Sequence, residues 1–149
     1  MKKILFTILP VFTACFMSVA QEFKVITIIE SVVPAGLGRS RIIETKGEID
    51  ISTISTERED GKSKQGDVKR SDIKKEGEDL KETKLLNFYS IGGINFGNIA
   101  SNDAIIEAKM MEMAKAGWKL LNITSGVESD GGSNDGNGIF ITRMYFTKG

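Results

Sequence analysis

Asp130, Asp135 and Asn137 lie in ESDGGSNDGNG, where hard oxygen side chains alternate with glycines as they do in a calcium-binding loop. An EF-hand register starting at Ser133 puts Met144 where the motif requires a bidentate glutamate, and a strand-like run follows instead of a helix. Asn137-Gly138 equally serves a hairpin turn with positive φ, which is the simpler expectation. Gly36 and Gly38 precede Arg39 and Arg41. A phosphate cradle would need a helix opening behind those glycines, whereas RIIET is β-branched. The expectation is a glycine turn with two solvated arginines, able to contact a carboxylate or a sulfated sugar. Asp103 and Glu107 share a helix face one turn apart, a spacing open to acid/base work by paired carboxylates, although their charges also suit a helix N-terminus. Phe88, Tyr89 and Phe96, set among glycines in NFYSIGGINF, form either an adaptable apolar patch for a partner or a second part of the core. Asn122-Ile-Thr124 matches a glycosylation sequon but lies in a strand-like run.

Other chemistry is closed by composition. The 149 residues contain no histidine and a single cysteine, Cys15. If Cys15 leaves with a leader, disulfides, thiolate catalysis, Cys/His zinc sites and Ser-His-Asp triads are all excluded. No cofactor is expected. MKKILFTILPVFTACFMSVAQE has two lysines, an apolar run, and Ser18 and Ala20 placed as at a signal-peptide cut. Residues 1–20 are therefore expected to be a bacterial signal peptide and 21–149 a single domain, exported to the periplasm or secreted. Lipid attachment through Cys15 is the alternative, since FTAC loosely resembles a lipoprotein box. No later segment is apolar enough to span a bilayer, and the near-balanced charge gives no drive toward nucleic acid.

EFKVITIIESVV, rich in Val, Ile and Thr with apolar residues on both faces, predicts a central strand. RIIET and EIDISTIST predict two shorter ones. Residues 57–84 carry nine basic and nine acidic residues, which predicts a solvated hairpin or mobile insertion contributing little core. LLNFYSIGGINFGNIA reads as a strand ending at Gly92 or Gly93, followed by a buried loop. Ser101 or Asn102 is the expected N-cap of a helix whose apolar stripe is Ile106, Met110, Met113 and Ala114, with Lys109, Glu112 and Lys115 opposite. Gly117 should end that helix in the left-handed conformation. WKLLNITSGV and GIFITRMYFTK alternate as a closing strand pair. One amphipathic helix on one face of a mainly antiparallel sheet satisfies both elements, giving an α+β single domain.

Trp118 follows the helix-stopping glycine, so its ring is expected in the core beside Met110 and Met113. Burial of a ring this size removes ~150 to 250 Å² from water, whereas a ligand platform would leave it outside. A helix running into AGWKLLNIT, then a loop and IFITRMYF, resembles small bacterial domains of unknown function with a helix, Gly-Trp-Glu-Leu, strand, loop, strand signature. The resemblance covers about residues 101–148, with Lys119 in the glutamate's place. ETKLLNFYSIGGINFGNIASND is similar to exported hypothetical proteins of Gram-negative bacteria. These resemblances imply a fold and no activity. The functional expectation is thus a non-catalytic module binding a protein or small ligand. The alternatives are a carboxylate-dependent hydrolase of envelope or polysaccharide material and a calcium-stabilised structural protein.

Overall fold

The computed structural model describes residues 20–32, 39–90, 92–128 and 138–149. Its central strand, β1 (Glu22–Ser31), is built from Val25, Ile26, Thr27, Ile28 and Ile29, whose branched and hydroxyl side chains suit a pleated surface. β2 (Arg41–Thr45) pairs with one side of β1. Beyond it the chain makes a two-strand ribbon of β3 (Arg58–Glu59) and β4 (Lys62–Ser63), then a short helix α1 (Arg70–Glu76) and strand β5 (Leu80–Lys84), which lies against β2. A second small ribbon, β6 (Tyr89–Ser90) with β7 (Gly93–Ile94), leads into helix α2 (Phe96–Lys115). β8 (Lys119–Glu128) and β9 (Ile139–Lys148) complete the sheet. The order is β5-β2-β1-β9-β8, antiparallel at every pairing, and β1 matches β9 from Glu22↔Lys148 to Ser31↔Ile139. The architecture is α+β. No helix among the described residues is long and apolar enough to cross a membrane.

Side chains alternate across a strand, so the register fixes which residues share a face. Ile26 and Ile28 of β1, Ile42 of β2, and Met144 and Phe146 of β9 are buried on one face, joined by Leu85 and Met113. Ile105, Ile106, Met110 and Trp118 pack against this cluster while keeping part of their surface in water. The helix therefore covers the middle of the sheet. It ends as local geometry requires: Gly117 sits at φ 85°, its N–H donates to the Ala114 carbonyl (3.0 Å), and the Trp118 N–H donates to Met113 (3.0 Å). These two bonds form a Schellman cap, which directs the chain back along the sheet and sets Trp118 beside the core.

Four expectations need correction. EIDISTIST is not a strand: Ile51–Ile54 forms a 3₁₀ turn, because the Asp50 carboxylate accepts from the Ser52 N–H (2.9 Å) and hydroxyl (2.6 Å), a local bond that competes with a ladder. The charged stretch 57–84 has no buried residue, as expected of a stretch adding little core, but it is not one hairpin or a bare insertion: its last five residues are β5, which joins the sheet. Helix α2 starts at Phe96, earlier than expected, with Asn95 as its cap; the Asn95 Oδ1 accepts from the Asn98 N–H (3.1 Å). Asn102, taken as a possible cap, is instead fully buried within the helix. Finally, Lys109 lies on the buried side of α2 and Ala114 on the exposed side, because Lys109 has a partner in the sheet.

Residues 85–88 form a strap across the end of β1. The N–H groups of Leu85 and Phe88 donate to the carbonyls of Ser40 (3.0 Å) and Ser31 (3.1 Å). The segment expected as a strand to Gly92 or Gly93 and then a buried loop is instead this strap, the small β6–β7 ribbon and the start of α2.

Candidate functional site

The face of the sheet turned away from α2 starts from the other half of the same alternation. Phe23 and Val25 of β1 point there, opposite the row that contains Ile26 and Ile28. Val25 is level with Tyr145 of β9, and Tyr145 with Asn122 of β8. The β8–β9 register shifts between Leu120 and Asn122, leaving Leu121 as the extra residue of a bulge. Leu121 thereby lines the same groove as Phe23, Val25, Asn122, Thr124 and Tyr145. This groove has a volume of about 330 Å³, and its apolar members remain in solvent: Phe23 is 65% exposed, Leu121 61% and Val25 40%. Its polar lining residues are Lys24, Asn122, Thr124 and Tyr145. The Asn122 Oδ1 accepts the Ile123 N–H at 2.8 Å. Such a surface excludes water from an apolar guest and offers a few hydrogen bonds to orient it.

A larger hollow of about 520 Å³ lies toward the other end of β8, between Thr124, Val127, Ile139, Ile141 and Arg143. In sequence its lining residues flank 129–137, which lie outside the described residues, so the groove at Phe23 is the better-defined candidate.

Two polar clusters occupy the helix side. In the first, the Lys109 Nζ donates to the Glu44 Oε1 (2.7 Å) and the Glu112 Oε1 (3.0 Å), both lysine and Glu44 being nearly fully buried. Lys24 and Lys81 each reach Glu44 at 3.4 Å. Burial alone would raise the Glu44 pKa, but the Lys109 hydrogen bond and the three nearby ammonium charges outweigh it and hold the carboxyl below its ordinary range. Burial alone would lower the Lys109 pKa, yet Glu44 and Glu112 raise it. In the second cluster, the Asn102 Nδ2 donates to the Leu86 carbonyl (2.8 Å) and the Glu30 Oε1 (3.1 Å), while its Oδ1 accepts the Leu86 N–H (2.8 Å). Glu30 is pushed up, mainly by desolvation and further by the negative charge of Asp103, against the Asn102 hydrogen bond. Neither Glu30 nor Asp103 lines the grooves described above.

The residues singled out from the sequence fall in separate places. Phe88 is half-buried and meets Phe140 edge to face, with ring centroids 5.6 Å apart. Tyr89 is half-buried in β6, and Phe96 at the start of α2 is 77% exposed. Arg39 is exposed, whereas the Arg41 guanidinium donates to the Glu82 Oε1 at 2.9 Å, which already compensates its charge. Asp103 and Glu107 are both exposed on α2. Trp118 is half-buried, with the Lys148 Nζ 5.8 Å from its ring centre. Asp130, Asp135 and Asn137 lie outside the described residues, and among the described residues no three His, Cys, Asp or Glu side chains cluster to hold a metal ion. The groove residues Phe23, Val25, Leu121 and Tyr145 escaped sequence reading. Their only signal was that EFKVITII is apolar at both odd and even positions, which reads as burial on both faces. No family model, curated protein or solved structure matches the chain.

Proposed function

We propose that the protein is an exported, non-catalytic interaction module, periplasmic or secreted, which binds an apolar segment of a partner protein or a small apolar ligand in the groove between β1, β9 and β8. One observation carries the reading: Phe23 and Leu121, two large apolar side chains, stand mostly exposed in a single groove on one face of the sheet. Scattered apolar residues on a surface are ordinary, but a contiguous apolar hollow marks a contact site. The leader-like residues 1–20 support export, and mass spectrometry of the mature N-terminus tests it.

An environment-sensitive apolar dye, bis-ANS, tests the groove. The native protein should bind it saturably, and Phe23→Ser with Leu121→Ser should abolish that binding while leaving the melting curve cooperative. A native protein that ignores the dye, or a double variant that binds it unchanged, removes the groove as a site.

The alternative, a carboxylate-dependent hydrolase, draws its support from Glu30, whose raised pKa is a property of general acids. It ranks second because Glu30 is engaged by Asn102 and lines none of these grooves.

A further inference from the structure

The two edges of the sheet are built differently. β5 closes one side with Lys81, Glu82 and Lys84 among its five residues, and Glu82 is tied to Arg41. Charges of this kind are how a sheet edge is kept from pairing with another chain. β8 closes the other side with charged residues only at its two ends. From Leu120 to Val127 it carries no charge and no proline, and every residue from Lys119 to Val127 is exposed. The Ile123 N–H donates to the side chain of its own neighbour Asn122, as an edge amide does, and no strand lies beyond it among the described residues. Leu120, Ile123 and Val127, which face the helix side of the sheet opposite Phe146, Met144 and Phe140, remain exposed because α2 covers only the middle of the sheet.

We infer that β8 pairs antiparallel with β8 of a second copy of this chain, about a two-fold axis through Thr124, to give a continuous sheet across a dimer. The occupant is chosen by self-complementarity. With Thr124 opposite Thr124, Ile123 faces Ser125 and Asn122 faces Gly126 of the second copy, large against small. Leaving out the bulge residue Leu121 on each strand then sets Leu120 opposite Val127, and Lys119 level with residue 128, a glutamate in the sequence. Every such pair shares a face: Leu120, Ile123, Ser125 and Val127 lie on the helix side, and Asn122, Thr124 and Gly126 on the outer side. The bulge is what makes this possible, since without it Leu120 and Val127 would face opposite ways. No like charges meet along the ribbon from Leu120 to Val127, which carries none. An isologous two-fold contact is also the commonest form of closed assembly.

This dimer goes beyond the groove reading, and Phe23, on β1, takes no part in it. Sedimentation velocity of the full chain carrying Cys15→Ser should give a dimer that dissociates only on dilution. Ile123→Lys, which brings two like charges diagonally across the axis, should leave a monomer. Adding Ser125→Glu should restore the dimer, because each introduced lysine then faces an introduced glutamate. Thr124→Cys in the same background should give a disulfide-linked dimer on mild oxidation, an arm that stands even if Ile123→Lys fails to fold. Phe23→Ser should leave the dimer intact, separating this test from that of the groove. A monomer at every concentration, a dimer indifferent to Ile123→Lys, or absence of the Thr124→Cys cross-link overturns the inference.

Discussion

The Lys109 ammonium and the Glu44 carboxylate stand 2.7 Å apart across the helix–sheet interface, buried together beneath α2. The pair links the centre of the helix to β2. Removing one partner strands a charge in a poorly solvated place, which typically costs about 3 to 5 kcal/mol. Lys24 and Lys81 still reach Glu44 when Lys109 is gone, so Lys109→Ala should lie at the low end, about 3 kcal/mol, in urea unfolding. The double variant Lys109→Met with Glu44→Leu should recover most of that loss. A double variant no more stable than Lys109→Ala would show that the pair outweighs an apolar replacement.

The same pair sets a pH window. Glu44 has a folded pKa below its unfolded one, so its contribution is complete above the ordinary carboxylate range and is lost as pH falls through the folded value. Lys109 has a folded pKa above its unfolded one, so its contribution is complete below the ordinary lysine range and is lost as pH rises through the folded value. Glu30 acts in the opposite sense to Glu44: its raised pKa makes ionisation unfavourable to the fold above the carboxylate range. Glu30→Gln should therefore raise the melting temperature at neutral pH and leave it little changed in acid, while Glu44→Gln should lower it at neutral pH. Differential scanning calorimetry across pH reads both signs.

Asn102 should be the least replaceable polar residue of α2. It satisfies both the N–H and the carbonyl of Leu86 and is completely buried. Asn102→Ala leaves those backbone groups without partners, each at about 1 to 3 kcal/mol. Asn102→Asp keeps the acceptor for the Leu86 N–H but places a second negative charge beside Glu30, and should destabilise as well. Hydrogen exchange at the Leu86 amide should become fast in Asn102→Ala, whereas continued protection would contradict the assignment.

At Gly117 the conformation matters more than the space. A Cβ there would meet only the Lys148 Cε at an ordinary 3.6 Å, but φ is 85°. Gly117→Ala should cost about 1 to 2 kcal/mol, the strain of a left-handed L-residue, and Gly117→Asn less. Equal melting temperatures for the glycine and alanine proteins would rule out that strain.

What could be read from the sequence was what neighbouring residues decide. Gly117 had to end a helix because its requirement is local, and Trp118 follows from it. The central strand and the closing strand pair announce themselves through β-branched and alternating residues. Lys109 could not be placed, because a lysine amid a polar pattern looks solvated until Glu44, distant in sequence, is brought beneath it. Asn102 was misread for a related reason: its side chain serves the backbone of the strap at Leu86 and not its own helix end. The groove was hidden by a degeneracy, since Phe23 and Val25 look the same in the sequence whether a second layer covers them or water does.

The pairing of Glu22 with Lys148 brings positions from opposite ends of the described fold side by side at the middle of the sheet. Of the two inner ladders, this one closes the larger loop. Chain-closure entropy must be met before that ladder yields any contact energy, which places this topology among the slower folders. The centre of the sheet is therefore complete only when β1 and β9, the first and last of the described strands, are present together.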